Sequence, residues 1–568
     1  MTNQIFLHYL SLALAIMLGA ILRFWNLDFK PLWMDEVITS IFSLGKNYHD
    51  VPVEVLFPLA RLQEIFTYQS GLSCASIAEN VAKMSTHPPL FFCWMYTWLG
   101  WLGADKQNLV AKMRSLPAIF GVCAIPVIYG VNRIAFSKSV GMAVAYVMAV
   151  SPFAVYLSQE ARHYTLPMLL ISLALLGLVQ IQQDILKNKI NYWVWLLWTI
   201  INCIGLYTHY FFILALVAEI VTLIILIFSQ IKNREQRKFW LALILSISVI
   251  FISFFPWIPI MLSHFNRSET EWLPSHNGIA PIYQTLINWI LMVIALPVET
   301  QFLPITIICG LLMLIFGIWT GWNIFKGLKN LWNTNKTHLP TLTLLTFSVC
   351  ILLEFLVIIY FLGKDITVAP RYNFVYYPSF CALIAASLTI NNPLRISLKL
   401  RLFFIVGTLS CICVIYNLIL LKPFQPEVVA KKINLEPSTP LMVVVRYRNY
   451  QDIASGLSFT LALEKIRDYT SANPKLSSNV AFLKDSPELS GTWQKIGQLP
   501  PPSSKFNLWV IAPGLVRASY PDNITLDQTN CLKDPQHYHR IGIPYQLFRC
   551  GAITSTDMHR FIKISSTP

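Results

Sequence analysis

The sequence predicts an α-helical polytopic membrane protein with a small C-terminal α/β domain outside the membrane. Hydrophobic residues make up 55% of the 568-residue chain and charged residues only 12%, and the mean hydropathy is +0.55. Apolar stretches recur through the first 421 residues at the roughly 20-residue length that crosses a bilayer. From about residue 422 they give way to short apolar runs separated by polar loops.

Stretches of spanning length lie at 5–25, 114–132, 139–157, 164–184, 191–208, 209–229, 239–262, 302–322, 341–362, 372–390 and 402–421. The first reads as a retained helix, since Met1-Thr2-Asn3-Gln4 carries no charge and the apolar run is too long for a signal-peptide core. Two shorter stretches, 89–103 and 281–297, have a length at which re-entrant or interfacial helices compete with full spans.

The net charge of +15 gathers in connections between spans: Arg133 to Lys138, Lys187 to Lys189, Lys232 to Lys238, the segment with Lys326, Lys329 and Lys336, and that with Arg395, Lys399 and Arg401. No basic run interleaves with stacking aromatics in a polar segment, so nucleic acid is not an expected partner. All five connections fall on one side only if the two short stretches do not cross. The positive-inside rule then gives about eleven spans, and about thirteen if both cross. In either case the N-terminus lies in the cytoplasm and the C-terminal region outside, as in a protein of the plasma (inner) membrane.

The expected division is a transmembrane domain over 1–421, with a long extracytoplasmic first loop over 26–113, and a soluble extracytoplasmic α/β domain over 422–568. In the latter, 441–445, 507–512 and 545–549 read as strands and 452–467 as an amphipathic helix. Most of the 11 cysteines lie in apolar spans, where they act as small hydrophobes. Cys531 and Cys550 lie in the polar region, and would pair in an oxidising compartment or stay as free thiols in a reducing one.

The polar residues of chemical interest concentrate on the predicted outer side. Asp35-Glu36 follows the first span, with Trp25 and Trp33 marking the interface. Ionisable groups near a membrane are costly and often functional. Adjacent residues point about 100° apart on a helix, so the two carboxylates have different tasks: one faces a reaction centre, the other caps a helix or binds a cation. Either is able to accept a proton from an acceptor hydroxyl or amine.

His87 precedes Pro88-Pro89, which forces an extended entry and then a helix start. An imidazole at a helix N-terminus favours an anion such as phosphate. In Ser158-Gln159-Glu160-Ala161-Arg162-His163-Tyr164, Glu160 and Tyr164 share a face if the next helix has begun. Arg162 pairs with Glu160 or with a lipid phosphate. Tyr207-Thr208-His209-Tyr210 joins two spans without a polar spacer, and an aromatic belt is its plain structural alternative. Arg371, before Tyr372, suits a phosphate contact because a guanidinium fork matches phosphate oxygens. Snorkelling to a headgroup is the alternative there.

In this order, Trp33-Met34-Asp35-Glu36, His87-Pro88-Pro89-Leu90, Arg114 before Leu116-Pro117, Ser158 to Tyr164, Tyr207 to Tyr210 and Pro370-Arg371-Tyr372 resemble the GT-C membrane glycosyltransferases, in their protein O-mannosyltransferase and aminoarabinose-transferase branch. The resemblance spans about residues 20–390. It implies inverting transfer of a sugar from a polyprenyl-phosphate donor to an acceptor protein, lipid or glycan outside the cytoplasm, within reach of membrane lipid.

On that analogy Asp35 is the base or acceptor-positioning carboxylate, with Glu36 and Glu160 the other catalytic candidates. His87, Arg162, Arg371 and Tyr372 hold the donor phosphate, and His163, Tyr164 and His209 complete the site. Glu160 stands where the family often has Asp, one methylene shorter. His87 stands where aminoarabinose transferases have Lys, whereas the mannosyltransferases share the His-Pro-Pro pattern. No cofactor is required by the sequence. Some GT-C enzymes use a divalent metal, for which Asp35, Glu160 and His209 are the candidate ligands. Two competing readings are a lipid-linked-sugar transporter or flippase, which favours inverted repeats and broken helices, and a non-catalytic member that binds lipid-linked sugars.

Overall fold

A computed structural model describes residues 2–103, 108–230, 236–265, 267–275, 278–389, 398–470, 478–486 and 489–551. Of the basic connections, Lys232, Arg234 and Arg395 lie outside the described residues. The described residues form two compact units: those within 2–30, 72–103 and 108–421 make the first, and those within 31–71 and 422–551 the second. The division expected at 421/422 is therefore corrected in one respect. Residues 31–71, expected within the first loop of the membrane domain, belong to the unit that contains the C-terminal region.

The first unit is helical. Among the described residues eight helices are long and apolar enough to cross a membrane: Gln4–Phe24, Leu109–Ala135, Thr165–Leu186, Phe212–Gln230, Gln236–Phe265, Leu303–Asn333, Asn335–Phe361 and Leu398–Ile415. Taken as one span, helices Lys138–Ala149 and Pro152–Ser158, bent by 56° to each other, make a ninth. Four shorter apolar helices, Leu90–Leu102, Tyr192–Leu206, Ala280–Val293 and Tyr377–Thr389, account for the rest of the expected eleven to thirteen. At about 1.5 Å per residue they fall short of the roughly 30 Å hydrocarbon layer. Tyr192–Leu206 stops early because the Tyr207–Tyr210 turn follows it, and Tyr377–Thr389 starts late because a 3-10 segment, Pro370–Val375, precedes it.

The bend has a local cause. Pro152 cannot donate its nitrogen to the preceding turn, and the Ser151 hydroxyl accepts the Ala154 N–H at 3.2 Å, so a new helix begins inside the span. The carbonyls this leaves exposed are taken by Arg23, whose side chain is fully buried. Its Nη2 donates to Met148 O at 2.9 Å, and its Nη1 to Ala149 O at 3.1 Å and Gly19 O at 3.0 Å. A cation at a helix C-terminus also opposes the negative end of the helix dipole. Gly121 leaves the room this needs, since a Cβ there would meet Ser158 Oγ at 2.1 Å and Arg23 Nε at 3.0 Å.

The second unit is built on a seven-stranded sheet. Its strands are β1 (Leu56–Pro58), β2 (Leu441–Tyr447), β3 (Ser478–Lys484), β4 (Phe506–Ile511), β5 (Asn523–Leu526), β6 (Thr529–Ile541) and β7 (Ile543–Cys550), in the order β1-β3-β2-β4-β7-β6-β5. β3, β2 and β4 run parallel, and the other pairings are antiparallel. Residues 441–446 of β2 are all buried, as a parallel strand covered on both faces requires. Met442, Val444, Leu508, Val510 and Phe548 form the core on one face. β1 comes from the 31–71 segment and pairs with β3, which is why that segment joins this unit. Cys531 and Cys550 face each other across β6 and β7 and form a disulfide.

Candidate active site

The expected site residues fall in both units. Asp35 and Glu36 lie in the second, on helix Met34–Ser43, and both are buried. The Glu36 carboxylate accepts the Trp33 backbone N–H at 3.4 Å. It stands three residues after Trp33, where a Glu commonly returns to satisfy an orphan amide. The Ser458 hydroxyl donates to Leu32 O at 2.7 Å, and Tyr48 stacks on Tyr450 at 4.5 Å, so the segment is held to helix Tyr450–Thr470 of the same unit. Glu36 is thus engaged by its own helix start.

His87, Glu160, Arg162, His163, Tyr164, His209, Arg371 and Tyr372 all lie in the first unit. Three turns carry most of them. The 158–164 turn is buried throughout. Gln159 Nε2 donates to Trp25 O at 2.8 Å and Leu22 O at 3.4 Å, and the Ser158 hydroxyl donates to Ala154 O at 2.6 Å. The Arg162 N–H bonds to Glu160 O at 2.7 Å. The next helix starts only at Thr165, so the helical face expected for Glu160 and Tyr164 does not form. Their spacing is that of a tight turn.

Arg162 Nη2 lies 3.2 Å from His87 Nε2. A guanidinium only donates, so His87 accepts at Nε2 and carries its proton on Nδ1. That proton faces the Ser85 hydroxyl at 3.3 Å. The contact therefore requires a neutral imidazole. Burial, then the neighbouring Arg162, with Arg371 also near, holds His87 well below the ordinary histidine range. The helix N-terminus expected to serve an anion beside His87 is partly engaged elsewhere, because the Leu90 N–H donates to Tyr207 O at 3.1 Å.

His163 is fully buried, with its ring 4.7 Å from those of both His87 and His209. Burial, then Arg162, lowers its pKa well below the ordinary value. His209 Nδ1 accepts the Phe211 N–H at 3.0 Å, which leaves its proton on Nε2. Burial, then Arg162 and Arg371, push its pKa down to about 3. Arg162 lies over the Tyr164 ring at 5.6 Å, and Arg371 over those of Trp272 and Tyr372 at 5.4 Å. Three neutral imidazoles and two guanidinium groups thus share one neighbourhood. His87, Arg371 and Tyr372 are partly exposed, and Arg162, His163 and His209 are buried.

Several participants escaped the sequence reading. Trp272, under Arg371, lies in the 263–301 loop, whose residues carried no motif. Arg267 and His264 in the same region reach the residues before His87: Arg267 donates to Ala82, Lys83 and Ser85 carbonyls at 2.7–2.9 Å, and His264 Nε2 to Ala82 O at 2.9 Å. Arg114 was in the motif set without a task. Its Nη1 ties down the segment that follows the first helix through Leu27 O at 2.6 Å and Lys30 O at 2.8 Å. Among the described residues no three His, Cys, Asp or Glu side chains converge as a metal site.

Residues 86–259, which include His87, the 158–164 turn and His209, match the dolichyl-phosphate-mannose-protein mannosyltransferase family. ArnT from Cupriavidus metallidurans in the apo state superposes with a TM-score of 0.52 at 10% identity, over 94% of this chain and 97% of that one. This is the fold of the GT-C membrane glycosyltransferases. ArnT bound to undecaprenyl phosphate gives a TM-score of 0.51 at the same identity and coverage. The archaeal oligosaccharyltransferase AglB from Archaeoglobus fulgidus gives 0.44 at 12% identity, over 80% of this chain and 64% of that one. No curated protein sequence matches the chain. With its apolar helices and the GT-C fold, the chain is an integral membrane protein.

Proposed function

We propose that the protein is an inverting glycosyltransferase that moves a sugar from a polyprenyl-phosphate donor to an extracytoplasmic acceptor, a protein, lipid or glycan. The observation that carries this reading is the convergence of Arg162 and Arg371 on a stack of neutral imidazoles. Two fixed cations without competing imidazolium charge suit a phosphate that gains charge as it leaves. The mannosyltransferase family match over residues 86–259, which carry His87, Arg162, His163 and His209, and the undecaprenyl phosphate bound by ArnT support a lipid-phosphate donor.

In the proposed reaction an acceptor hydroxyl or amine attacks the anomeric carbon from the face opposite the phosphate. The bond from that carbon to the phosphate oxygen breaks with its electron pair on the oxygen, and the acceptor proton passes to a carboxylate. Arg162 and Arg371 stabilise the departing phosphate through charge-assisted hydrogen bonds, so it leaves without protonation. His87, neutral and held by Arg162, offers its Nδ1–H side to Ser85 and orients the guanidinium. Asp35 takes the acceptor proton, the role that the resemblance gives it.

The transporter reading would claim the bent span at 150–152. There Arg23 and Ser151 fill the break with buried hydrogen bonds, which favours a static kink. The C-terminal disulfide supports an oxidising compartment for the second unit, and so an extracytoplasmic placement. The test is cell-free transfer from a polyprenyl-phosphate-linked sugar. Asp35→Asn is expected to abolish transfer while the protein still inserts and folds, and retained transfer would remove Asp35 from the chemistry.

A further inference from the structure

The segment that carries His87 is tied at both ends. At one end, Cys74 opens helix Cys74–Met84 and Cys93 sits in the first turn of helix Leu90–Leu102, and the two form a disulfide with Cα atoms 5.3 Å apart. The Leu72 N–H adds a bond to the Tyr96 hydroxyl at 3.0 Å. At the other end the carbonyls of Ala82, Lys83 and Ser85 close helix Cys74–Met84, and Arg267 donates to all three. A guanidinium there satisfies orphan carbonyls and opposes the helix dipole.

His264 reinforces this end. Its Nε2–H donates to Ala82 O at 2.9 Å, its Nδ1 accepts from the Tyr210 hydroxyl at 2.8 Å, and that hydroxyl accepts from Trp257 Nε1 at 3.0 Å. Between the ties lies Ser85-Thr86-His87-Pro88-Pro89. Its exit is fixed by the Leu90 N–H on Tyr207 O, and its Pro pair removes two backbone donors. The expected reading of the cysteines as small hydrophobes did not foresee a bond here. Cys74 lies in the polar first loop, and its partner Cys93 opens an apolar stretch.

We propose that the Cys74–Cys93 disulfide, with Arg267 and His264 as its counterpart on the same segment, is a positioning clamp that holds His87 against Arg162, so that the oxidation state of this cysteine pair sets the affinity of the phosphate site. The ligand rests on the function proposed above; the clamp does not. None of the four residues touches the reacting atoms. They act by limiting where the His87 ring lies, and therefore where the Arg162 guanidinium points. Reduction by a dithiol delivers two electrons and two protons, leaves Cys74 and Cys93 as thiols, and converts the dithiol to its cyclic disulfide. Cys74 is exposed, so the bond is open to such a reagent. With the bond broken, the segment keeps the Arg267 tie and loses the other.

The test uses the full-length protein in detergent. Peptide mapping without reduction is expected to recover the Cys74–Cys93 linked peptide, and two free thiols would overturn the proposal. Hydrogen exchange over residues 85–92 is expected to speed up in the Cys74→Ser/Cys93→Ser variant, and unchanged exchange would overturn it. Undecaprenyl phosphate in micelles is expected to bind the variant about tenfold more weakly, with transfer at saturating donor within about twofold of the parent. Cys531→Ser/Cys550→Ser, which opens the other disulfide, is expected to leave that affinity unchanged, and equal losses in the two variants would overturn a local clamp. Arg267→Lys is expected to recover part of the affinity that Arg267→Ala loses. Failure of the unaltered protein to bind undecaprenyl phosphate would overturn the proposed function, and the clamp would then stand or fall on hydrogen exchange.

Discussion

The cationic cluster of the helical unit and the carboxylate pair of the sheet-containing unit are held in different ways. Arg162, His163 and His209 sit on turns that almost bury them, and backbone carbonyls and amides fix those turns. Asp35 and Glu36 sit in the first turn of a regular ten-residue helix, where local capping chemistry already employs one of them. The difference teaches that charge in the helical unit depends on tertiary fit, whereas the carboxylate pair is sorted by position within its own helix. Substitutions in the cluster are therefore expected to change ligand affinity, and those in the pair to separate chemistry from stability.

The largest effect is expected at Asp35. Asp35→Asn should lower transfer by about a thousandfold, the scale of a lost general base, with donor affinity unchanged in a binding assay. Next come the arginines. Arg371→Gln or Arg162→Gln should weaken binding of a polyprenyl phosphate by about a hundredfold, since a buried charge-assisted hydrogen bond is worth up to about 3 kcal/mol. Equal losses from Asp35→Asn and Arg371→Gln in the binding assay would erase the proposed division of labour.

The third prediction concerns pH. His87, His163 and His209 have depressed pKa values in the folded protein. Below the ordinary value of about 6.5 the unfolded chain binds protons that the folded chain refuses, so their contribution to stability is full above that pH and is lost as pH falls. Thermal unfolding should show a midpoint that drops from pH 7.5 to 5.5, and that drops less in a His163→Phe variant. The smallest effect is expected at Glu36. Glu36→Gln should retain the cap, while Glu36→Ala should cost about 1 kcal/mol of stability, read as a shift in the unfolding midpoint, and leave most of the transfer activity.

The helical class and the spans were legible because a 20-residue apolar run has few other uses. So were the β2 and β4 strands, whose apolar runs are short and bounded by polar loops. The candidate residues on the turns stood out for a related reason: polar side chains between two apolar spans are few. What escaped depends on long-range partners. Arg23 lies in the first apolar stretch and carries no motif, and only the bend at Pro152, more than 120 positions later, makes it a buried cap. Arg267 and Trp272 carry no motif, and gain meaning from carbonyls near Ser85 and from Arg371. The membership of 31–71 in the second unit turns on a three-residue strand that pairs across more than 400 positions, for which periodicity gives no signal.

The central claim is that Arg162 and Arg371 hold the phosphate of a lipid-linked donor. Native mass spectrometry of the full-length protein with undecaprenyl phosphate, beside an Arg162→Gln/Arg371→Gln variant of equal thermal stability, tests it most directly. The account predicts a one-to-one complex for the unaltered protein and its loss in the variant. Equal occupancy in the two, or no complex with either, would contradict it.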